Sequence, residues 1–461
     1  MDYDITVIGA GPGGYVAAIT AAQFDKRVCI IERDEVGGVC LSEGCIPTKT
    51  LIKTVRVLDE IRKADELGIK GIDQSKVFAD MEKLQTRKKA ILAKLTGGVR
   101  GLLEGNGVTL IKGSAAFVDQ NTVEVDGKMI TSDHFIIATG SHTQMPAAIR
   151  IDGNSDVITS REALEMVDIP EKLGIIGGGV IGIELAYIFS ALGAQVNVIE
   201  LTDRILPTVD DEISAMAMKL LEKSGISFRT GAQVQTIRDN TVSFICSGQV
   251  HENNFTKVIM AVGRAPNTAG LNLEAVGIDL EKGAIKTDLS MKTSAKNIYA
   301  IGDVTGGSML AHTASHEGIA AVRNICGSRE VVDHNRIPSC IYLEPEIACI
   351  GLTEAQARGT QGLDVRGIRV GRFPLIGNGK ALIDGDTDGF VKVVLDEATE
   401  EILGVHIIGA NAAEMIGGIA VAMTAEATAG EVINAVFPHP SVSESIPEAF
   451  LSAYGKAIHW K

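Results

Sequence analysis

The chain is 461 residues long, enough for about three domains of ordinary size. Apolar residues make up 45% and charged residues 22%, which excludes general disorder, while glycine (51 residues) is enriched and aromatics (4%) are scarce. Lys plus Arg 43 against Asp plus Glu 58 leaves a net charge of −15, an argument against a general binder of nucleic acid or anionic membrane.

The N-terminus, MDYDITVIGAG, has no basic n-region and no cleavage site, so no signal peptide is expected and the chain reads as cytoplasmic. Asp4–Ile8 predicts a short buried strand. Gly9-Ala10-Gly11-Pro12-Gly13-Gly14 then fits G-x-G-x-x-G, followed by a small-residue helix to Phe24 and a second strand, Val28–Ile31, ending in Glu32. In such a turn Gly9 permits the tight bend, Gly11 lets backbone approach a pyrophosphate, and Gly14 allows close packing of helix on strand. Unpaired N–H groups at the helix start suit the phosphates, and Glu32 is placed to accept from a ribose.

Gly37-Gly38-Val39-Cys40-Leu41-Ser42-Glu43-Gly44-Cys45-Ile46-Pro47-Thr48-Lys49 comes next, with two cysteines five positions apart beside the first nucleotide turn. If the stretch begins a helix, the sulfurs stand about one turn apart and a helix N-terminus favours the reactive thiolate. A buried structural pair is the bland alternative. A zinc half-site is another, although no second Cys pair or His cluster supplies further ligands, and no metal is expected. The other five cysteines, Cys29, Cys246, Cys326, Cys340 and Cys349, stand singly in apolar contexts and read as inert core residues. An odd total of seven fits no secreted disulfide framework.

Residues 50–105 are charged and helix-periodic, predicting long surface helices. Phe135–Ser141 is a strand ending in a glycine turn. Leu173–Ala194 is long enough to span a bilayer, but Glu184 and six glycines favour a buried strand, a turn and a buried helix. Here the first pattern repeats: Gly177-Gly178-Gly179-Val180-Ile181-Gly182, then Val196–Ile199 ending in Glu200, and later Val258–Arg264. In both copies the acid lies 23 residues after the first glycine, so each is a βαβ unit and two dinucleotides are implied. A carboxylate at Glu200 repels a 2′-phosphate, which favours NAD(H) over NADP(H).

From about residue 335 the pattern suggests an antiparallel sheet with packed helices, and boundaries are expected near 145, 265 and 335. Near the C-terminus, Phe437-Pro438-His439-Pro440-Ser441-Val442-Ser443-Glu444 offers a histidine base with a carboxylate to orient it.

These motifs resemble the pyridine nucleotide–disulfide oxidoreductase family across essentially the whole chain. The most specific parts are GGVCLSEGCIPTK, IYAIGDVTGGSMLAHTASHEG and HPSVSE. The resemblance implies an α/β fold with two Rossmann-like dinucleotide-binding domains and a C-terminal α+β dimerisation domain. Its parts would be an FAD-binding domain in two stretches, 1–145 and 266–334, an NAD-binding domain at 146–265, and a dimerisation domain at 335–461. It further implies a redox-active Cys40–Cys45 disulfide, with Cys45 nearer the flavin and Cys40 exchanging with substrate, and a Lys49–Glu184 ion pair beside the flavin.

The FAD site implied comprises Gly9, Gly11, Pro12, Gly13, Gly14, Glu32, Arg33, Gly38, Val39, Cys40 and Lys49. It continues with Gly113, Ala115, Thr139, Gly140, Ser141, Gly302, Asp303, Met309, Leu310, Ala311 and His312. The NAD site implied comprises Gly177, Gly178, Gly179, Val180, Ile181, Gly182, Glu184, Glu200, Val234, Ala261, Val262, Gly263 and Arg264. His439 and Glu444 would complete the site of a partner subunit in a homodimer.

Within the family the pattern is most similar to the NAD-linked branch that oxidises protein-bound dihydrolipoamide. Glu200-Leu201-Thr202 lacks the arginines of the glutathione-reducing relatives, and the ending AIHWK lacks the cysteine pair of the mercuric reductases. No lipoyl-like segment precedes Met1, so the lipoyl group is expected on another protein. An NADH-dependent reductase of another small disulfide is the alternative activity, and a non-catalytic scaffold the alternative class.

Overall fold

The computed structural model describes residues 1–360, 362 and 367–461. Its first sheet has the strand Tyr3–Ile8 at the centre, parallel to Val28–Glu32 on one side and to Lys128–Ile137 on the other. Val28–Glu32 is buried along its whole length, as a strand covered on both faces must be. Helix Pro12–Gln23 crosses between the two strands and turns Ala17, Ala18 and Ala21 into the core. The strand Ile298–Ala300 arrives from far along the chain and pairs in parallel with the end of Lys128–Ile137. It delivers the turn Gly302–Thr305 to the same edge as the first glycine turn. Helix Ala311–Ile325 then packs on helix Pro12–Gln23 so closely that a Cβ at Gly318 would lie 2.8 Å from Gly13 O.

The second unit repeats this plan. Lys172–Ile176 lies between Gln195–Ile199 and Lys257–Met260 in an all-parallel sheet of five strands, with helix Val180–Ala191 as the crossover. The apolar run Leu173–Ala194 is therefore strand, turn and buried helix, and among the described residues no helix is long and apolar enough to cross a membrane. A four-stranded sheet containing Ala232–Arg238 flanks it. The C-terminal region forms a five-stranded antiparallel sheet ordered Ser339–Ile341, Glu346–Gly351, Ile402–Gly409, Phe390–Asp396 and Ile368–Pro374. Helices Ala412–Thr424 and Ser445–Ser452 pack against it.

Two expectations change. Of the two helices in residues 50–105, Met81–Gly105 is mostly exposed, but Cys45–Lys63 is not a surface helix. It buries Leu51, Ile52, Val55 and Leu58, and the first three share a core with the second nucleotide unit. The spacing of its apolar residues at i, i+3/i+4 and i+7 gives it that inward stripe. Among the single cysteines, Cys29 and Cys349 are buried, whereas Cys246, Cys326 and Cys340 are half-buried.

Candidate active site

The two glycine turns have the same construction. Gly9 has φ +103° and Gly177 φ +110°, and a Cβ on either would lie 2.3 Å from a carbonyl oxygen, Ala138 O or Ala261 O respectively. A Cβ at Gly14 would lie 1.9 Å from Gly9 O, and one at Gly182 2.0 Å from Gly177 O. No side chain is tolerated where helix meets strand. The middle glycines differ: a Cβ at Gly11 or Gly179 would meet nothing within 4 Å. Each therefore faces open space at a helix N-terminus that no side chain caps. Bare N–H groups at the mouth of an open cradle fit a pyrophosphate in both units.

The terminal acids also clasp their own turns. Glu32 accepts from Ala10 N–H (2.7 Å) and Asp34 N–H (2.7 Å); Glu200 accepts from Gly178 N–H, Thr202 N–H (2.7 Å) and Thr202 Oγ1 (2.8 Å). A carboxylate has about four acceptor sites, so each keeps capacity for a ribose. Arg33 is exposed and pairs with Asp34 at 3.2 Å. Gly113 N–H is bonded to Glu32 O (3.0 Å) behind the acid, and Ala115 is buried beneath. Val234 is buried in the core beside the second unit, with Ile176 and Ile199.

Where spacing predicts one helix through both cysteines, the chain breaks. Cys40 lies in the short helix Gly38–Ser42, Gly44 adopts φ −135° and ψ −109°, and Cys45 opens the helix Cys45–Lys63. A Cβ at Gly44 would sit 2.9 Å from Val39 O, so glycine is required where the two helices abut. Both thiols are free in this structure, and they differ sharply. A hydrogen bond donated by Cys40 brings Cys45 down to about 7 against its burial, with help from the Lys49 ammonium and the Cys45 backbone N–H. Cys40 is pushed strongly up by giving that hydrogen bond, by burial and by the neighbouring Cys45 and Asp303. The thiolate thus belongs to Cys45, at a helix N-terminus.

Lys49, one turn further on, donates to both oxygens of Glu184 (2.9 and 2.8 Å), whose side chain is only 5% exposed. This pair joins the cysteine helix to the crossover helix of the second unit. Asp303 reaches the site from the Gly302–Thr305 turn, accepting from Ser141 Oγ, while Glu317 accepts from Gly302 N–H (2.6 Å). Thr139 Oγ1 donates to Asn267 O (2.7 Å), and the flanking Gly140 has φ +70°. Met309 (φ +52°) and Leu310 lead into helix Ala311–Ile325, where His312 Nε2 lies 2.7 Å from Pro338 O. Arg264 lies just after Ala261, Val262 and Gly263, yet its guanidinium donates to Ser141 Oγ and Ser141 O (both 2.7 Å). It is also 4.0 Å from Asp303, so its side chain is turned to the first nucleotide unit. The motif alone gave no sign of this, because strand Arg264–Pro266 pairs with Ser141–Thr143 only in the folded chain.

His439 Nδ1 lies 3.0 Å from Glu444 Oε1, and Ser441 N–H donates to the other oxygen (2.9 Å). Burial opposes ionisation of Glu444, but the Ser441 N–H and His439 outweigh it and hold the carboxyl below its usual range. The carboxylate keeps the Nδ1 proton in place and leaves Nε2 as the basic nitrogen. With 80% of its side chain exposed, His439 is presented outward, away from the protomer's own core. Sequence motifs gave no signal for Tyr342, whose backbone N–H donates to Glu184 Oε1 (2.9 Å).

The pyridine nucleotide-disulphide oxidoreductase family matches residues 3–318, and its dimerisation domain matches residues 337–450. A dihydrolipoyl dehydrogenase of Bacillus subtilis (strain 168) is 40% identical, over 100% of this chain and 99% of its own length. One from Thermus scotoductus is 40% identical over 99% and 98%. Among solved structures, LpdA from Mycobacterium tuberculosis superposes with a TM-score of 0.87 at 27% identity, covering 97% of this chain and 99% of its own. The HOCl-induced flavoprotein disulfide reductase RclA from Escherichia coli gives 0.84 at 28%, with 97% and 99% covered.

Proposed function

Because the chain belongs to the pyridine nucleotide-disulphide oxidoreductase family, we propose that it oxidises protein-bound dihydrolipoamide to lipoamide and reduces NAD+ to NADH. The observation that carries this reading is the pair of unlike thiols at the start of helix Cys45–Lys63, beside the Lys49–Glu184 ion pair and between two nucleotide cradles. The first cradle, with Glu32 and Asp303, holds FAD; the second, with Glu200, holds NAD(H). FAD, when bound, supplies the two-electron acceptor that links a dithiol to a nicotinamide. The parts divide at about 145, 265 and 335, and the protein works as a cytoplasmic homodimer serving a lipoylated carrier domain.

With Cys40 and Cys45 joined as a disulfide, the substrate thiolate attacks Cys40 and Cys45 leaves as a thiolate. The second substrate thiol then displaces Cys40, closing the lipoamide ring, so the substrate loses two electrons and the protein pair gains them. A substrate thiol is mostly protonated near neutrality, so a base must take its proton. His439 Nε2 of the partner subunit fills that role, steadied by Glu444, because His439 in its own protomer faces outward.

His439→Gln is expected to slow dihydrolipoamide oxidation about 10²–10⁴-fold at unchanged FAD content. Subunits carrying Cys40→Ser, mixed with subunits carrying His439→Gln, regain about a quarter of wild-type turnover, since half the dimers are mixed and each has one intact site. A His439→Gln enzyme with near-normal turnover would remove the base from the scheme, and mixed dimers without recovery would place His439 in its own subunit's site.

A further inference from the structure

Three separate parts of the chain meet at the Lys49–Glu184 pair. Lys49 comes from the cysteine helix, Glu184 from the second crossover helix, and Tyr342 from the C-terminal domain, just beyond strand Ser339–Ile341. The Lys49 ammonium lies 4.7 Å from the centroid of the Tyr342 ring, and the Tyr342 N–H donates to Glu184 Oε1 at 2.9 Å. The segment is pinned at a second point. Arg56 donates to Leu343 O (2.7 Å) and pairs with Glu344 (3.2 Å) and Glu346 (2.9 Å). Lys49 and Arg56 are seven residues apart and so lie on one face of the same helix. Tyr342-Leu343 is thereby laid along that face in a fixed register.

Each contact answers a physical need. A carboxylate as buried as Glu184 is stable only with its acceptor sites filled, and Lys49 alone cannot fill them from one side. The ammonium, with 32% of its side chain exposed, has several rotamers open to it, and the negative face of an aromatic ring selects one.

We propose that Tyr342 is a positioning residue of the redox centre: its ring face and its backbone N–H hold the Lys49–Glu184 pair in place, tying the C-terminal domain to the dithiol. The proposal rests on the reading of Lys49 as part of that centre. Lys49 acts on Cys45 through its charge, so a displaced ammonium leaves the Cys45 thiolate less stabilised. The other ionisable groups around Tyr342 are Cys340, Glu346, Glu184 and Glu414, and Asp303 acts on Cys40 through its charge.

The test is the pH dependence of the midpoint potential of the Cys40–Cys45 couple in purified holoenzyme. Free thiols are counted by mass after equilibration in dithiothreitol buffers, with FAD content and thermal midpoint as checks on folding. In the wild type the slope is expected to break where Cys45 ionises, near 7. Tyr342→Leu is expected to move that break up by about half to one pH unit, and Tyr342→Phe, which keeps the π face, to restore it. Lys49→Met moves it at least as far. If Lys49→Met shifts the break and Tyr342→Leu does not, the positioning role is overturned while the reading of Lys49 stands. If neither shifts it, both fall. An equal shift in Tyr342→Phe and Tyr342→Leu overturns the ring contact.

Discussion

Cys45 and Cys40 are chemically identical side chains that the site makes unlike. The difference comes from one hydrogen bond, one nearby ammonium and one helix N-terminus, all directed at Cys45. Its thiol is held at about 7, so it is thiolate above that pH and is protonated as the pH falls through it. Cys40→Ala removes the donor, and the Cys45 thiol is expected to move back toward the ordinary value of about 8.5, a tenfold or greater loss of thiolate at neutral pH. Alkylation rates of Cys45 against pH measure this; a midpoint still near 7 in Cys40→Ala would show that the hydrogen bond is not the cause. On the proposed reading Glu200 carries two tasks at once, because its oxygens bind Gly178 N–H and Thr202 N–H while keeping capacity for a ribose. Glu200→Ala therefore weakens both nicotinamide nucleotides, while the kcat/KM ratio shifts toward NADPH by ~1–3 kcal/mol. An unchanged ratio would mean that the carboxylate serves its turn alone.

At the scale of elements, each strand, turn and crossover helix forms one unit whose tolerance is set by backbone. Gly14 and Gly182 occupy equivalent positions, with carbonyl oxygens 1.9 and 2.0 Å from where a Cβ would stand. A methyl group there forces helix and strand apart, and overpacking of this kind costs at least about 1–3 kcal/mol. The two substitutions nevertheless separate in outcome. Gly14→Ala is expected to purify with little FAD. Gly182→Ala keeps its FAD and loses affinity for NADH by tenfold or more, as read from nucleotide titration. Equal FAD loss in both would deny that the two turns hold different nucleotides. Helix Cys45–Lys63 owes its placement to the break at Gly44, which turns Cys45 into a helix-start residue.

In the whole molecule the C-terminal sheet is fastened to the second nucleotide unit by an ionic cluster centred on the buried Lys392–Asp210 pair. Lys392, 2% exposed, contacts Asp210 (2.9 Å), Glu212 (2.7 Å) and Glu354 (2.9 Å), and Arg372 bridges Glu212 and Glu354 (3.0 Å to the latter). Arg372 pulls Glu212 down to about 2 against partial burial, with Lys392 contributing. A carboxyl lowered on folding adds stability that is complete above its unfolded value, about 4.3, and is lost as the pH falls through about 2. The seam is thus expected to survive mild acid. Lys392→Met leaves Asp210 buried without its counter-charge, at a cost of about 3–5 kcal/mol. Thermal unfolding should show a clear drop in midpoint, and a drop too small to measure would reduce the cluster to a surface-like ion pair.

What the amino-acid order determined by itself is local and periodic. Gly9 to Gly14 and Gly177 to Gly182 announce their turns because the backbone there admits no side chain, and Glu32 and Glu200 follow at a fixed distance because strand and helix lengths are fixed. The Cys40–Cys45 spacing and the His439–Glu444 pair are legible for the same reason: each lies within a few residues of its partner. Only the tertiary structure decided that Tyr342 meets Glu184 across 158 positions, that Arg264 turns to Ser141 across 123, and that Lys392 reaches Asp210 across 182. Such contacts leave no periodic trace. They arise where separately folded sheets are pressed together, and each position is chosen by the charge and the open hydrogen-bonding sites of the surface it meets.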